Sequence, residues 1–136
     1  MIHKNAFICL LISVITLSCN KEDVSDSLIT EPAIDSTTVS KNGLLRVLGN
    51  KIVNKHNVPI SLAGNSFFWS NDNWGGERFY TPEAVEWLKN DWNTTIVRAA
   101  MGVDEQGGYL SNKPSNKNRV KTIVQSAIDQ GIYVII

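Results

Sequence analysis

Apolar residues recur along this chain at two spacings, one suited to strands and one to helices. Leu44-Leu45-Arg46-Val47-Leu48, the turn Gly49-Asn50 and Lys51-Ile52-Val53 predict a β-hairpin. A second turn, Asn54-Lys55-His56-Asn57, leads through Pro59 into Ile60-Ser61-Leu62-Ala63-Gly64, which reads as the first parallel strand. Residues 65–80 form a long loop rich in Asn and Gly. Thr81-Pro82-Glu83 then opens a helix, with a Thr cap, Pro at the first helical position and an acid where the dipole favours it. Val85, Leu88 and Trp92 fall on one face of that helix. Thr94–Met101 reads as a second strand and 102–114 as a second loop. Val120, Ile123, Val124, Ala127 and Ile128 make the apolar stripe of a second helix, stopped by Gly131. Ile132-Tyr133-Val134-Ile135-Ile136 is a third, buried strand. Strands apolar on both faces that alternate with amphipathic helices imply an α/β fold with a parallel sheet.

The two ends of the chain differ in kind. His3 and Lys4 precede an apolar run from Ala6 to Ser18, and a run of about 13 residues suits a signal peptide, being short for a membrane span. Cys19 closes the run. The segment resembles a bacterial lipobox, although Thr16 stands where leucine is usual, and Asn20-Lys21-Glu22-Asp23 resembles the export signal of surface lipoproteins. On this reading Cys19 is lipidated and anchors the protein to a membrane, Cys9 is removed with the signal, and no disulfide forms. Residues 20–42 are rich in Ser, Thr, Asp and Glu, and read as a flexible tether. The expected organisation is a signal over 1–18, a lipidated Cys19 with its tether over 19–42, and a folded part over 43–136.

Composition narrows the function. The chain has 136 residues, 43% hydrophobic and 19% charged, with zero formal net charge, so a single core is feasible and no basic patch invites nucleic acid. His3 lies in the signal and His56 in a turn, so no metal cluster is expected. Neither a Gly-x-Gly-x-x-Gly motif nor a P-loop lysine occurs, and no cofactor is expected.

Arg98 stands out, as a charge near the C-terminal end of a strand that is otherwise apolar. Such a charge needs partners, and that end of the strand is where parallel β/α folds place their sites. Two readings stay open: a site residue, or a structural arginine neutralised by carbonyls and an acid. Phe67, Phe68, Trp69 and Trp74 crowd the loop after the first strand. One or two can stack on sugar rings while the others pack on the core. Trp87 and Trp92, on the helix, read as core. Glu77, Asp104 and Glu105 read as solvated loop charges.

These residues carry a resemblance. Leu62-Ala63-Gly64-Asn65-Ser66, Asp91-Trp92-Asn93, Ile96-Val97-Arg98-Ala99-Ala100-Met101, Gly108-Tyr109 and the final strand, in this order and spacing, resemble the bacterial endoglucanases (cellulases) of glycoside hydrolase family 5. The resemblance runs from about Gly43 to Ile136. It implies the N-terminal portion of a (β/α)8 TIM barrel, comprising a hairpin, strands one to three and two helices. It implies retaining hydrolysis of β-1,4-glucan by two glutamates after strands four and seven, both beyond Ile136, so this chain alone is expected to be inactive. Arg98 matches the arginine that keeps the nucleophile ionised, and Phe68 stands where many relatives have a sugar-binding histidine. Phe68, Trp69 and Trp74 are the candidate substrate-binding residues, a β-glucan polysaccharide is the expected partner, and the whole protein is expected to be a monomer exported to the outer membrane or cell surface, with a periplasmic or secreted protein as the alternative. Two alternatives remain: a non-catalytic carbohydrate-binding surface lipoprotein, and a relative acting on mannan or mixed-linkage glucan.

Overall fold

A computed structural model describes residues 36–136; Cys19, the signal segment and most of the tether lie outside the described residues. The elements run α1 (Thr38–Asn42), β1 (Arg46–Leu48), β2 (Lys51–Val53), β3 (Gly64–Ser66), a 3-10 turn (Glu77–Phe79), α2 (Pro82–Trp92), β4 (Ile96–Arg98), α3 (Lys113–Asp129) and β5 (Tyr133–Ile135). β1 and β2 form the expected antiparallel hairpin, with Leu48 opposite Lys51. β3, β4 and β5 form a parallel sheet in that order.

Both long helices begin as their sequences require. Thr81 caps α2 by accepting from the Ala84 N–H, with Pro82 in the first turn, and Asn93 closes the helix in the left-handed region. Asn112 caps α3 through the Ser115 N–H. Gly131, at φ 64°, reverses the chain after α3 and feeds it into β5. Both helices lie on one face of the sheet. Val85 of α2 and Val120, Ile123 and Ala127 of α3 pack with Phe67, Val97, Ala99 and Ile132 into a single core.

Register then decides what the other face carries. Successive strand residues point to opposite sides. With Val97 and Ala99 in the core, Arg98 and its register partners Ser66 and Ile135 project from the face without helices. Ile135 is 53% exposed there.

Four expectations need correction. The first parallel strand is Gly64–Ser66, not the run Ile60–Gly64. Within that run, Ile60 donates to Ile52 O and bonds the hairpin, so parallel pairing starts only where Gly64 meets Ile96. A Cβ at Gly64 would lie 1.6 Å from the Ile96 carbonyl oxygen, so the strands can approach only because this residue is glycine.

The tether also ends earlier than Asn42, because Thr38–Asn42 forms α1, capped by Thr37. The Val39 N–H donates to Gly131 O and the Lys55 N–H to Asn42 O, which ties α1 to the folded part. Tyr133 adds a link nearby, its hydroxyl donating to Gly43 O at 2.6 Å.

Trp87 and Trp92 are not core. They are 52% and 59% exposed, with ring centroids 5.7 Å apart. The core on α2 extends from Val85 only to the partly buried Leu88, and Trp92 lies beyond it in the last helical position. Ile128 likewise leaves the α3 stripe, at 62% exposure.

Candidate active site

The C-terminal ends of β3 and β4 open into the two loops that carry the aromatic and polar residues. The first loop stays beside the sheet through backbone bonds: Phe67 N–H to Arg98 O and Ser70 N–H to Ala100 O, both 3.0 Å. These extend the β3–β4 pairing past the last ladder residue. Tyr80 lies beneath, 5% exposed, with its hydroxyl 2.7 Å from both the Phe68 and the Ala100 carbonyl oxygens. Burial pushes the phenol's pKa up to about 12, so it stays protonated and donating.

Arg98 is half-buried at this mouth. Its guanidinium carbon lies over the Trp69 ring, 4.9 Å from the centroid, and Nη1 donates to Ser66 Oγ at 3.1 Å. The ion pair found among the described residues joins Arg119 to Asp72, so no described carboxylate neutralises Arg98. The structural reading of Arg98 therefore lacks its acid within this segment.

The candidate aromatics divide between two cavities. Trp69 and Trp74, 39% and 41% exposed, line one of about 540 Å³ with Met101, Gly102 and the loop residues Asp104 and Glu105. Phe68 lines a smaller, apolar cavity of about 240 Å³ with Phe79, Trp87 and Leu88, on the α2 side. Its ring also stands 6.3 Å from that of Trp74. Phe67 belongs to the core, 8% exposed and packed on Tyr80 at 5.5 Å. Asp104 and Glu105 are exposed as expected. Glu77 is not simply solvated, since its Oε2 is buried without a hydrogen-bond partner.

Sequence reasoning missed a polar lattice that fixes the first loop to α3. Ser70 is fully buried: its Oγ donates to Asn116 Oδ1 at 2.6 Å and accepts from the Gly102 N–H at 3.3 Å. Arg119 Nη1 donates to Ser70 O at 2.8 Å and also to Asp72. Asp72 further accepts from Asn112 Nδ2 at 2.8 Å and Ser115 Oγ at 3.2 Å. The Arg119 hydrogen bond, then that of Asn112, holds the Asp72 carboxyl below its usual range. Asn116 Nδ2 donates to Gly107 O and Asn71 Nδ2 to Gln106 O, which draws the second loop into the same lattice. The available signal was the spacing of Asn112, Ser115, Asn116 and Arg119, one polar stripe along the first two turns of α3.

A parallel β/α sheet with polar residues gathered at the strand C-termini defines the class of α/β proteins, barrels and doubly wound sheets alike, that bind ligands at that end. The comparisons make this specific. The Cellulase (glycosyl hydrolase family 5) model matches residues 53–136, and the chain belongs to that family. It is 53% identical over 92 residues to Endoglucanase Z of Dickeya dadantii, covering 68% of this chain and 21% of the relative. It is 37% identical over 102 residues to an endoglucanase of Clostridium saccharobutylicum, covering 75% and 22%. Among solved structures, a protein from Cytophaga hutchinsonii matches with a TM-score of 0.68 at 46% identity, covering 74% of this chain and 31% of the other. The catalytic domain of Thermobifida fusca endoglucanase Cel5A matches with a TM-score of 0.66 at 28% identity, covering 74% and 32%. The chain thus spans about a fifth of the length of these curated relatives. Its fold is the N-terminal portion of a (β/α)8 barrel, with β3, β4 and β5 as the first three barrel strands and α2 and α3 as the first two helices.

Proposed function

We propose that the whole protein is a retaining endo-β-1,4-glucanase and that the described segment builds one wall of its cleft. The observation that carries this reading is Arg98, a guanidinium at the strand C-termini with no carboxylate partner among the described residues. In double displacement, one glutamate attacks the anomeric carbon while a second protonates the leaving oxygen, and water then hydrolyses the glycosyl ester with the second glutamate as base. The attacking group must be ionised. Charge-assisted hydrogen bonds from Arg98 favour that form and lower its pKa. Both glutamates come from outside residues 36–136, and the 136-residue chain alone hydrolyses no glucan. Trp74 offers an apolar ring face to the sugar in the cavity that Trp69 also lines, and Phe68, in the neighbouring cavity on the α2 side, extends that apolar surface through its contact with Trp74. Cellulose-like chains are the favoured substrate, because the curated relatives are endoglucanases. The reaction needs no cofactor.

The test is Arg98→Met in the whole protein, with k against pH measured on soluble cellulose. We expect kcat to fall by roughly 100-fold, as on loss of one preorganised electrostatic partner, and the acidic limb to move to higher pH. A well-folded variant with near-normal kcat and an unmoved acidic limb would make Arg98 structural.

We also propose that Cys19 carries a lipid and holds the protein at the outer membrane or cell surface. The apolar run ahead of Cys19 and the Lys21-Glu22-Asp23 triplet support this. Cys19→Ser is expected to release the protein from the membrane fraction, and retention there would refute the anchor.

A further inference from the structure

Trp69 is a loop aromatic beside a cleft, which invites a role as a sugar platform. Its surroundings favour a different one. The Arg98 guanidinium lies over its ring, 4.9 Å from the centroid, so that face is already taken by a cation. The backbone on either side is held with unusual completeness for a loop. The Phe68 carbonyl ahead of it accepts from the Tyr80 hydroxyl at 2.7 Å. Behind it, the Ser70 N–H donates to Ala100 O, the Ser70 carbonyl accepts from Arg119, and the Ser70 hydroxyl donates to Asn116. Ala100 lies two residues beyond Arg98 on the same segment. The indole is thus fixed relative to the strand that carries the arginine.

We propose that Trp69 is a positioning residue for Arg98. The indole holds the guanidinium at the mouth of the sheet, so that its N–H groups meet the carboxylate that attacks the sugar. Arg98 is otherwise secured only by Ser66 Oγ among the described residues. An arginine side chain has several rotatable bonds, and one neutral hydrogen bond leaves most of that freedom. A ring contact removes it without consuming a donor, so the remaining N–H groups stay available to an anion. Trp74, in the same cleft and with no cation over its ring among the described residues, is the better platform for sugar.

This inference rests on the role given to Arg98 under Proposed function, and its test has two arms. The first is read by NMR on the whole protein. A ring current from Trp69 should shift the Arg98 side-chain NMR resonances upfield; Trp69→Leu should abolish the shift and Trp69→Phe keep part of it. Arg98 resonances that ignore Trp69→Leu would overturn the proposal. The second arm uses the whole protein on soluble cellulose. Trp69→Leu should lower kcat by roughly 5- to 30-fold, the range of a partly desolvated cation–π contact, with KM changed by less than about twofold. The acidic limb of the pH–rate profile should move up, and Trp69→Phe should recover most of both. A raised KM with an unmoved acidic limb would make Trp69 a sugar platform and overturn the proposal. If the unsubstituted whole protein hydrolyses no β-glucan, the reading of function fails, and the NMR arm alone decides whether Trp69 holds Arg98.

Discussion

The two faces of the three-stranded sheet are built from alternate residues of the same strands and have opposite fates. On one, Val97, Ala99 and Ile132 lie under α2 and α3 and are nearly inaccessible. On the other, Ser66, Arg98 and Ile135 stand in a row without a helix over them. A pleated strand separates them by a single residue step. The helix face uses burial to hold the fold together, with small and branched side chains. In the described segment the other face keeps a hydroxyl, a cation and an isoleucine, and a closed barrel turns this face inward, where side chains from all its strands fill the interior. On β4, Val97 and Ala99 thus serve the packing under the helices and Arg98 the inward face, and a slip of one residue would exchange them.

A pair of truncations tests this contrast at its widest. Ile123 is fully buried between α3 and the sheet, and Ile123→Ala should cost about 2–5 kcal/mol of unfolding free energy, as for other cavity-forming core changes. In the 136-residue chain, Ile135, on the face that a closed barrel turns inward, should lose less than about 1 kcal/mol on the same substitution. Urea unfolding of the two variants measures the gap, and equal losses would mean that the bare face is covered by something else in solution.

A smaller effect sharpens the comparison on the loop side. The Asp72 carboxyl has its pKa lowered from 3.8 by hydrogen bonds from Arg119 and Asn112. A carboxylate depressed in the folded state stabilises the fold above its unfolded pKa and loses that contribution as pH falls through the folded value. Asp72→Asn should therefore lower the melting temperature at neutral pH. The difference from the unsubstituted chain should shrink once pH falls below 3.8. A difference that stays constant down to pH 2 would show that Asp72 acts through shape rather than charge.

Much of this architecture was legible in the sequence, and the failures have local causes. α2 and α3 announced themselves because their caps and apolar stripes agree, as at Thr81-Pro82 with Val85 and at Gly131 with Ile123. β3 was misplaced because Gly64-Asn65-Ser66 has low strand preference; it is a strand only because β4 pairs with it. α1 was invisible because a five-residue helix has no stripe to read and is too short to persist by itself. The position of Trp87 and Trp92 on the helix suggests core, while burial on α2 ends near Leu88. At the site, Arg98 was visible as a charge in an apolar strand. Its contact with Trp69 was not, because a loop's path does not follow from periodicity. The Ser70–Asn116 bond joins residues 46 apart, a separation at which only the polar stripe on α3 hinted that a partner was required.

The Tyr80 hydroxyl has one proton and two carbonyl neighbours, Phe68 O and Ala100 O. One carbonyl begins the aromatic loop and the other begins the second loop. A hydroxyl shared in this way works as a rivet through two plates. If either loop lifts, its carbonyl loses the hydroxyl while the other keeps it, so the shared proton draws the two loop starts toward one point and gives the wall a common lip. An incoming chain would meet a rim whose shape is already set.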